Sequence, residues 1–270
     1  DLATTAIETT NVTYALATGD ADSINTQAGL TTAGDAAVTA DSALTITTLA
    51  SGTNDVTIAA AGNVIVTGAT AGSVDFTGTT GTSTITQTPD AAMTIVGGSG
   101  NNTATFAGTA VNSSYTGSNA NDTVTFVNTA GTAVAVLGNG TNTVTAAALV
   151  DGTLNVTGGT GVDTITTGAA LTTGSITVNA GGGNDIVNLS DAAGAGTVSI
   201  TGGDGDDTLN LITTMVGNGF TFAGGNGTDT LDLTGVDQDL SALTITLSGV
   251  DVIQMDHASS DKVEASVLSG

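Results

Sequence analysis

Seven glycine-rich hexapeptides recur along the chain at nearly constant spacing, and this periodicity constrains the fold more than any other property of the sequence. They are residues 97–102 (GGSGNN), 117–122 (GSNAND), 137–142 (LGNGTN), 158–163 (GGTGVD), 180–185 (AGGGND), 202–207 (GGDGDD) and 224–229 (GGNGTD). Their last residues follow one another at intervals of 20, 20, 21, 22, 22 and 22 positions. Each hexapeptide leads into a short alternating segment, as in Thr123–Phe126, Thr164–Thr166, Ile186–Leu189, Thr208–Leu211 and Thr230–Leu233. A second such segment precedes it, as in Leu154–Val156, Ser175–Val178, Thr197–Ile200 and Phe220–Phe222. Period-two alternation places Val124, Phe126, Leu209, Leu211, Leu231 and Leu233 on one face of their strands and Thr123, Thr125, Thr208, Asn210 and Asp232 on the other.

One repeat therefore holds two strands and two turns, one glycine-rich and one short and polar. A coil of this length closes as a single rung of a flattened helix, and rungs stack at the strand spacing of ~4.8 Å. No rung buries its apolar face alone, so stability comes from stacking. The expected fold is all-β, a right-handed parallel β-roll or β-helix with rungs of about 20–22 residues. Residues 1–90 read as degenerate rungs: residues 78–83 keep the spacing without the acid, Val56–Ile58 and Asn63–Val66 read as earlier strands, and Gly19–Ser23 as an eroded turn. Pro89 falls in a turn, where it removes no ladder bond. Residues 91–233 are the regular roll. Residues 234–270 are expected to be final rungs or a cap, with alternating strands at Leu243–Leu247 and Val250–Ile253.

Charge narrows the function. The chain carries 25 acids against a single basic side chain, Lys262, for a net charge of −24. A nucleic-acid binder needs Lys and Arg to displace counterions, which sets that class aside; binding to anionic lipid is disfavoured for the same reason. No apolar run approaches the roughly 18 residues that span a bilayer, so membrane insertion is not expected. Carboxylates without basic partners point to bound hard cations, calcium foremost. With no Cys, an extracellular β-protein would use metal as its staple. No basic, apolar leader opens the sequence and its first residue is Asp, so a processed chain or a piece of a longer one is expected.

The turn residues divide the labour. Glycines permit positive φ and bring carbonyls close to a small ion, while the terminal Asp supplies a carboxylate. Stacked turns then offer two carboxylates plus carbonyls, the six to eight oxygens calcium takes. The expected ligand turns are those of Gly158, Gly161 and Asp163; Gly181, Gly183 and Asp185; Gly203, Asp204, Gly205 and Asp207; and Gly225, Gly227 and Asp229. Asp122, with Asn102, Asn139 and Asn142 around it, forms a weaker stretch, because Asn brings oxygen without charge.

These turns resemble the nonapeptide of the RTX family of calcium-binding proteins, G-G-x-G-x-D-x-U-x with U a large apolar residue. Residues 202–210 and 224–232 match every fixed position, as does 158–166, and the segment from Ala180 lacks only the first Gly. Unlike the tandem RTX arrangement, one turn per rung fits, so calcium is expected along one edge only. The Thr/Ala/Gly-rich, low-charge background, with residues 247–253 and 265–270, is similar to bacterial surface-layer proteins exported by type I secretion and to large RTX adhesins. The resemblance implies export of an unfolded chain, folding on extracellular calcium at the cell surface, and self-association into a lattice or filament, with cell-surface polysaccharide as a further partner. The export signal of that route lies at the far C-terminus, and no convincing one is seen here, which again suggests a longer parent. The alternatives are the stalk or ligand-binding region of an RTX adhesin, a non-catalytic module of an extracellular enzyme, and an ice-binding domain suggested by rows of outward Thr (Thr103, Thr123, Thr143, Thr164, Thr208, Thr230; Thr105, Thr125, Thr145, Thr166). Catalysis is not expected. His257 stands alone, and enzymes acting on acidic polysaccharides need cations and an acid/base set that this chain does not assemble.

Overall fold

Alternating apolar residues in segments of four to eight residues produce strands, and the repeat length sets which strands become neighbours. In the computed structural model every strand pairing is parallel, and from Asp55 onward successive strands alternate between two sheets. Described are residues 55–256, apart from the turn positions 71, 88–91, 108–111, 128–129, 149–151, 170–172, 191–195, 214, 216–218 and 235–236, together with residues 261–263 and, before residue 55, residue 43 and the strands alone. The first sheet has 12 strands in chain order, from Asn11–Ala15 to Thr246–Ser248. The second has 14; its main path runs from Asp22–Ile24 to Val252–Gln254, with the short strands Leu30–Thr31 and Leu49–Ala50 beside it. This is a parallel β-solenoid, consistent with the right-handed β-roll expected, and both sheets continue through residues 90 and 233 without a break in strand order.

Register is strict. Ala104, Val124, Val144, Ile165, Val187, Leu209, Leu231 and Ile253 form one column of the second sheet. Across the core, Ile95, Tyr115, Ala135, Val156, Val178, Ile200, Phe222 and Leu247 form the facing column of the first. Nearly all of these are fully buried. Phe106 and Phe126 are in register and stack with ring centroids 4.9 Å apart, the offset contact that identical residues on successive rungs favour. On the outer face the Thr rows stand in register as expected: Thr84, Thr103, Thr123, Thr143 and Thr164 in one column and Thr86, Thr105, Thr125, Thr145 and Thr166 in the next. Ile186 interrupts the first and Asn188 the second.

Two strand expectations need correction. The strands before the last three ligand turns do not stop at the turn: Ser175–Gly182, Thr197–Asp204 and Thr221–Asn226 run into it. Glycines in the turn pair with those of the rung below, Gly181 with Gly203 and Gly203 with Gly225, so the ladder continues where side-chain alternation has ended. Towards the C-terminus, the expected strand Leu243–Leu247 is replaced by the shorter Thr246–Ser248, which keeps only Thr246 and Leu247 of it. A short 3₁₀ helix, Leu240–Ala242, precedes it, capped by the Asp239 side chain, which accepts from Ser241 N; burial of Leu240 holds it in place. Here Asp239 also bridges to Lys262, whose Nζ lies 2.7 Å from Asp239 Oδ2. The segments around Gly19, Pro89, Asp191–Gly194, His257 and Ala265–Gly270 lie outside the described residues, as does much of the edge opposite the glycine-rich turns.

Candidate metal-binding edge

The terminal residue of each glycine-rich turn points inward. Asn102, Asp122, Asn142, Asp163, Asp185, Asp207 and Asp229 are each at most 2% exposed. They form a column in which the backbone N–H of one rung donates to the side-chain Oδ1 of the next. Asn102 donates to Asp122 at 3.0 Å, Asp122 to Asn142 at 2.9 Å, Asn142 to Asp163 at 3.0 Å, Asp163 to Asp185 at 2.7 Å, Asp185 to Asp207 at 2.8 Å and Asp207 to Asp229 at 2.9 Å. Sequence reasoning missed the next member: Asp229 N donates to Asp251 Oδ2 at 2.9 Å. The signal was present, since Asp251 lies 22 residues after Asp229, but no glycine-rich hexapeptide announces it. At the other end the Ser83 hydroxyl donates to Asn102 Oδ1.

Glycine is required for this packing. A Cβ on Gly202 would fall 2.3 Å from Asp207 Oδ2, so the first position of the turn must be bare for the carboxylate to fold back against it. Gly205 has φ +125°, and a Cβ there would lie 2.0 Å from the carbonyl oxygen of Gly183 in the preceding rung. Gly181, Gly183, Gly203, Gly225 and Gly227 share this conformation, with φ between +112° and +129°. The turn of Gly158 and Gly161 reaches the same column without positive φ, so that part of the glycine argument does not extend to it.

The two side-chain oxygens of each carboxylate fare differently. At Asp122, Oδ1 accepts from both the N–H and the Nδ2 of Asn102, and Oδ2 accepts from Ser118 N at 3.2 Å. At Asp163, Oδ1 accepts from the N–H and the Nδ2 of Asn142, and Oδ2 accepts from Gly159 N at 3.4 Å. From Asp185 onward the donors run out: Oδ2 of Asp185, Asp207 and Asp229 is buried with no hydrogen-bond partner. Burial is the leading cause that pushes the carboxyls of Asp163 and Asp207 up to about 6. It raises Asp185 and Asp229 as well, against the neighbouring backbone N–H that each accepts. The carboxylates of the column also raise one another, Asp185 acting on Asp163 and on Asp207.

A buried carboxylate oxygen without a donor is costly. A cation removes that cost, as does a proton. The donor set suits a hard cation: Asp163, Asp185, Asp207, Asp229 and Asp251 supply carboxylate oxygens beside turns whose carbonyls are brought together by glycine. Among the described residues no three acidic or imidazole side chains converge on one point, so an ion here would draw on the carboxylates of adjacent rungs and complete its shell with carbonyls.

Two expected ligands stand elsewhere. Asn139 and Asp204 are exposed on the outer rim, where they belong to a separate ladder. Asn139 Nδ2 donates to Asn119 Oδ1 at 3.1 Å, Thr160 Oγ1 donates to Asn139 Oδ1 at 2.9 Å, and Asn226 Nδ2 donates to Asp204 Oδ1 at 2.7 Å. The structure does not bring them to the column. Tyr115, which sequence reasoning passed over, does reach it: its hydroxyl and Asn102 Nδ2 both lie 2.7 Å from where a Cβ on Gly97 would sit. Burial first, and then the charge of Asp122, pushes its phenol up.

No family model matches this chain, and no curated protein or solved structure matches it either.

Proposed function

We propose that this chain is a non-catalytic, structural calcium-binding solenoid of the bacterial cell surface, a lattice component of surface-layer type that folds and assembles on extracellular calcium. One observation carries the metal assignment: three consecutive buried carboxylates, Asp185, Asp207 and Asp229, each present an oxygen with no donor. In a chain with one basic side chain against 25 acids, a divalent cation is the counter-charge that also supplies the missing coordination. Calcium would be held between successive rungs from Asp163 to Asp251, and its contribution would be neutralisation and cross-linking of rungs. The lattice role rests on the likeness of the turns and background composition to surface-layer proteins, and self-association is its first consequence.

A second reading, an ice-binding face, is favoured by the outer Thr columns. Ten threonines stand in register over five rungs of the second sheet. The corresponding column of the first sheet is mixed, with Thr94, Ser114, Val134, Asn155 and Thr177. A general preference of exposed strands for Thr would act on both faces alike.

The deciding experiment is a calcium titration of the stripped protein, followed in parallel by far-UV circular dichroism and light scattering. Cooperative gain of β signal with growth into large assemblies supports the lattice reading. Folding on calcium without growth transfers the assignment to an adhesin stalk or an accessory module. A chain that is fully folded in EDTA and indifferent to calcium refutes the metal assignment. Thermal hysteresis in calcium would establish the ice-binding face, and its absence would dismiss it.

A further inference from the structure

The column of turn residues is chemically uneven. Asn102 Nδ2 lies within hydrogen-bond distance of three acceptors: the carbonyl of Gly98 at 3.2 Å, the carbonyl of Gly100 at 2.8 Å and Asp122 Oδ1 at 2.8 Å. Asn142 Nδ2 meets the equivalent three, Gly138 O at 3.3 Å, Gly140 O at 3.2 Å and Asp163 Oδ1 at 2.8 Å. All six partners are acceptors, which fixes the orientation of both amides. Two turn carbonyls and a carboxylate of the next rung are also the oxygens that a hard cation would gather at such an edge.

The corresponding atom of an Asp rung occupies the same place. A Cβ built on the first glycine of the turn would meet Asn102 Nδ2 at 2.7 Å in one rung, and Asp122 Oδ2 at 2.3 Å, Asp163 Oδ2 at 2.4 Å, Asp207 Oδ2 at 2.3 Å and Asp229 Oδ2 at 2.4 Å in the others. Where Asn puts two N–H donors, Asp puts lone pairs.

We propose that the carboxamide nitrogens of Asn102 and Asn142 are built-in substitutes for bound cations. They divide the edge at Asp163 into a metal-independent stretch of Asn–Asp pairs and a metal-dependent stretch of consecutive aspartates. The inference rests on the calcium reading above for its second stretch only. In the first stretch every carboxylate is satisfied: Asp122 and Asp163 each accept from an amide, its backbone N–H and a turn N–H. In the second, Asp185, Asp207 and Asp229 each receive one N–H and keep one orphan oxygen. Spacing acts in the same direction. Alternation keeps charged neighbours two rungs apart, roughly 10 Å, whereas consecutive aspartates lie one rung apart, roughly 5 Å, so the bare repulsion doubles.

The consequence is a solenoid with a preformed template. The rungs of Asn102, Asp122 and Asn142 fold without metal and present a finished edge, and the rungs of Asp185, Asp207, Asp229 and Asp251 add to it as calcium arrives. Placement of Asn and Asp along the repeat thus sets how much of the chain responds to calcium.

Hydrogen exchange with mass spectrometry on the full chain tests this, in EDTA and in millimolar calcium. In EDTA, peptides covering Asn102–Phe106, Thr123–Phe126 and Thr143–Ala148 should stay protected, while those covering Ile186–Leu189, Thr208–Leu211 and Thr230–Asp232 exchange at least 100-fold faster than with calcium. The double variant D185N/D229N restores alternation through Asp163 and Asp207, and should regain at least tenfold protection of the late rungs in EDTA. N142D extends the run of consecutive aspartates back to Asp122 and should make Thr143–Ala148 calcium-dependent. Equal calcium dependence of both stretches overturns the division, as does a D185N/D229N protein that folds in calcium and still exchanges freely without it. If titration calorimetry detects no calcium binding and neither stretch responds, the calcium reading itself fails, an outcome distinct from the first two.

Discussion

Acid should stabilise this protein when it is free of metal, the reverse of ordinary acid denaturation. The cause is the buried column. Asp163 and Asp207 have carboxyls pushed up to about 6 by burial, against an ordinary value of 3.8. Between those values the folded chain holds protons that the unfolded chain has released, so stability falls as pH rises. The contribution is fully present below about pH 3.8 and is lost as pH rises through about 6. Raising one such carboxyl from 3.8 to about 6 corresponds to about 3 kcal/mol. The two are not independent, because Asp185 lies between them and is raised as well, so the column titrates as a coupled set and its total is less than the sum of its members. On the proposed calcium sites the slope should invert: calcium would bind the ionised form, protons would compete with it, and the loaded protein would gain stability as pH rises. The assay is urea unfolding followed by far-UV circular dichroism at about pH 4.5, 5.5, 6.5 and 7.5, once in metal-free buffer and once in millimolar calcium. Midpoints should fall with pH in the first series and rise in the second. A metal-free midpoint that is flat, or that rises with pH, would show that Asp185, Asp207 and Asp229 are hydrated or paired without metal, and the argument for cation sites would fall with it.

Three further outcomes follow from particular contacts. Gly205→Ala forces a side chain into φ +125° with its Cβ 2.0 Å from the Gly183 carbonyl; strain and the parting of two rungs should cost about 3 kcal/mol or more, read as a lower unfolding midpoint and a calcium titration shifted to higher concentration. Leu209→Ala empties a fully buried position in the core column and should cost about 2–5 kcal/mol in saturating calcium, read as a lower urea midpoint. Ile186→Thr completes the outer row between Thr164 and Thr208 at an exposed site; its thermal midpoint should be nearly unchanged, within about 0.5 kcal/mol, and a large loss would mean that the row is not a free surface.

The repeat by itself determined the architecture. A spacing of 20 to 22 residues fixes rung length, and period-two alternation fixes which residues face inward. The strands Thr123–Phe126, Ile186–Leu189 and Thr208–Leu211 accordingly lie where the alternation puts them, and the Thr rows stand in register. The turn residues Asp163, Asp185, Asp207 and Asp229 were legible as a set for the same reason. What the repeat did not determine is the atomic environment of each side chain within the column, because that depends on residues one rung away rather than on neighbours in sequence. Only stacking shows that each Oδ1 takes the N–H of the preceding rung, that the Asn amides supply donors where the Asp residues supply lone pairs, and that Asp251 continues the series without a glycine-rich turn. The same stacking sends Asp204 and Asn139 outward although they share hexapeptides with the buried residues, and lets Tyr115 reach across the core to Asn102. Motif spacing encodes which rung and which face a residue occupies; hydrogen-bond balance between rungs, which separates a satisfied carboxylate from an orphaned one, arises only when the coils close on each other.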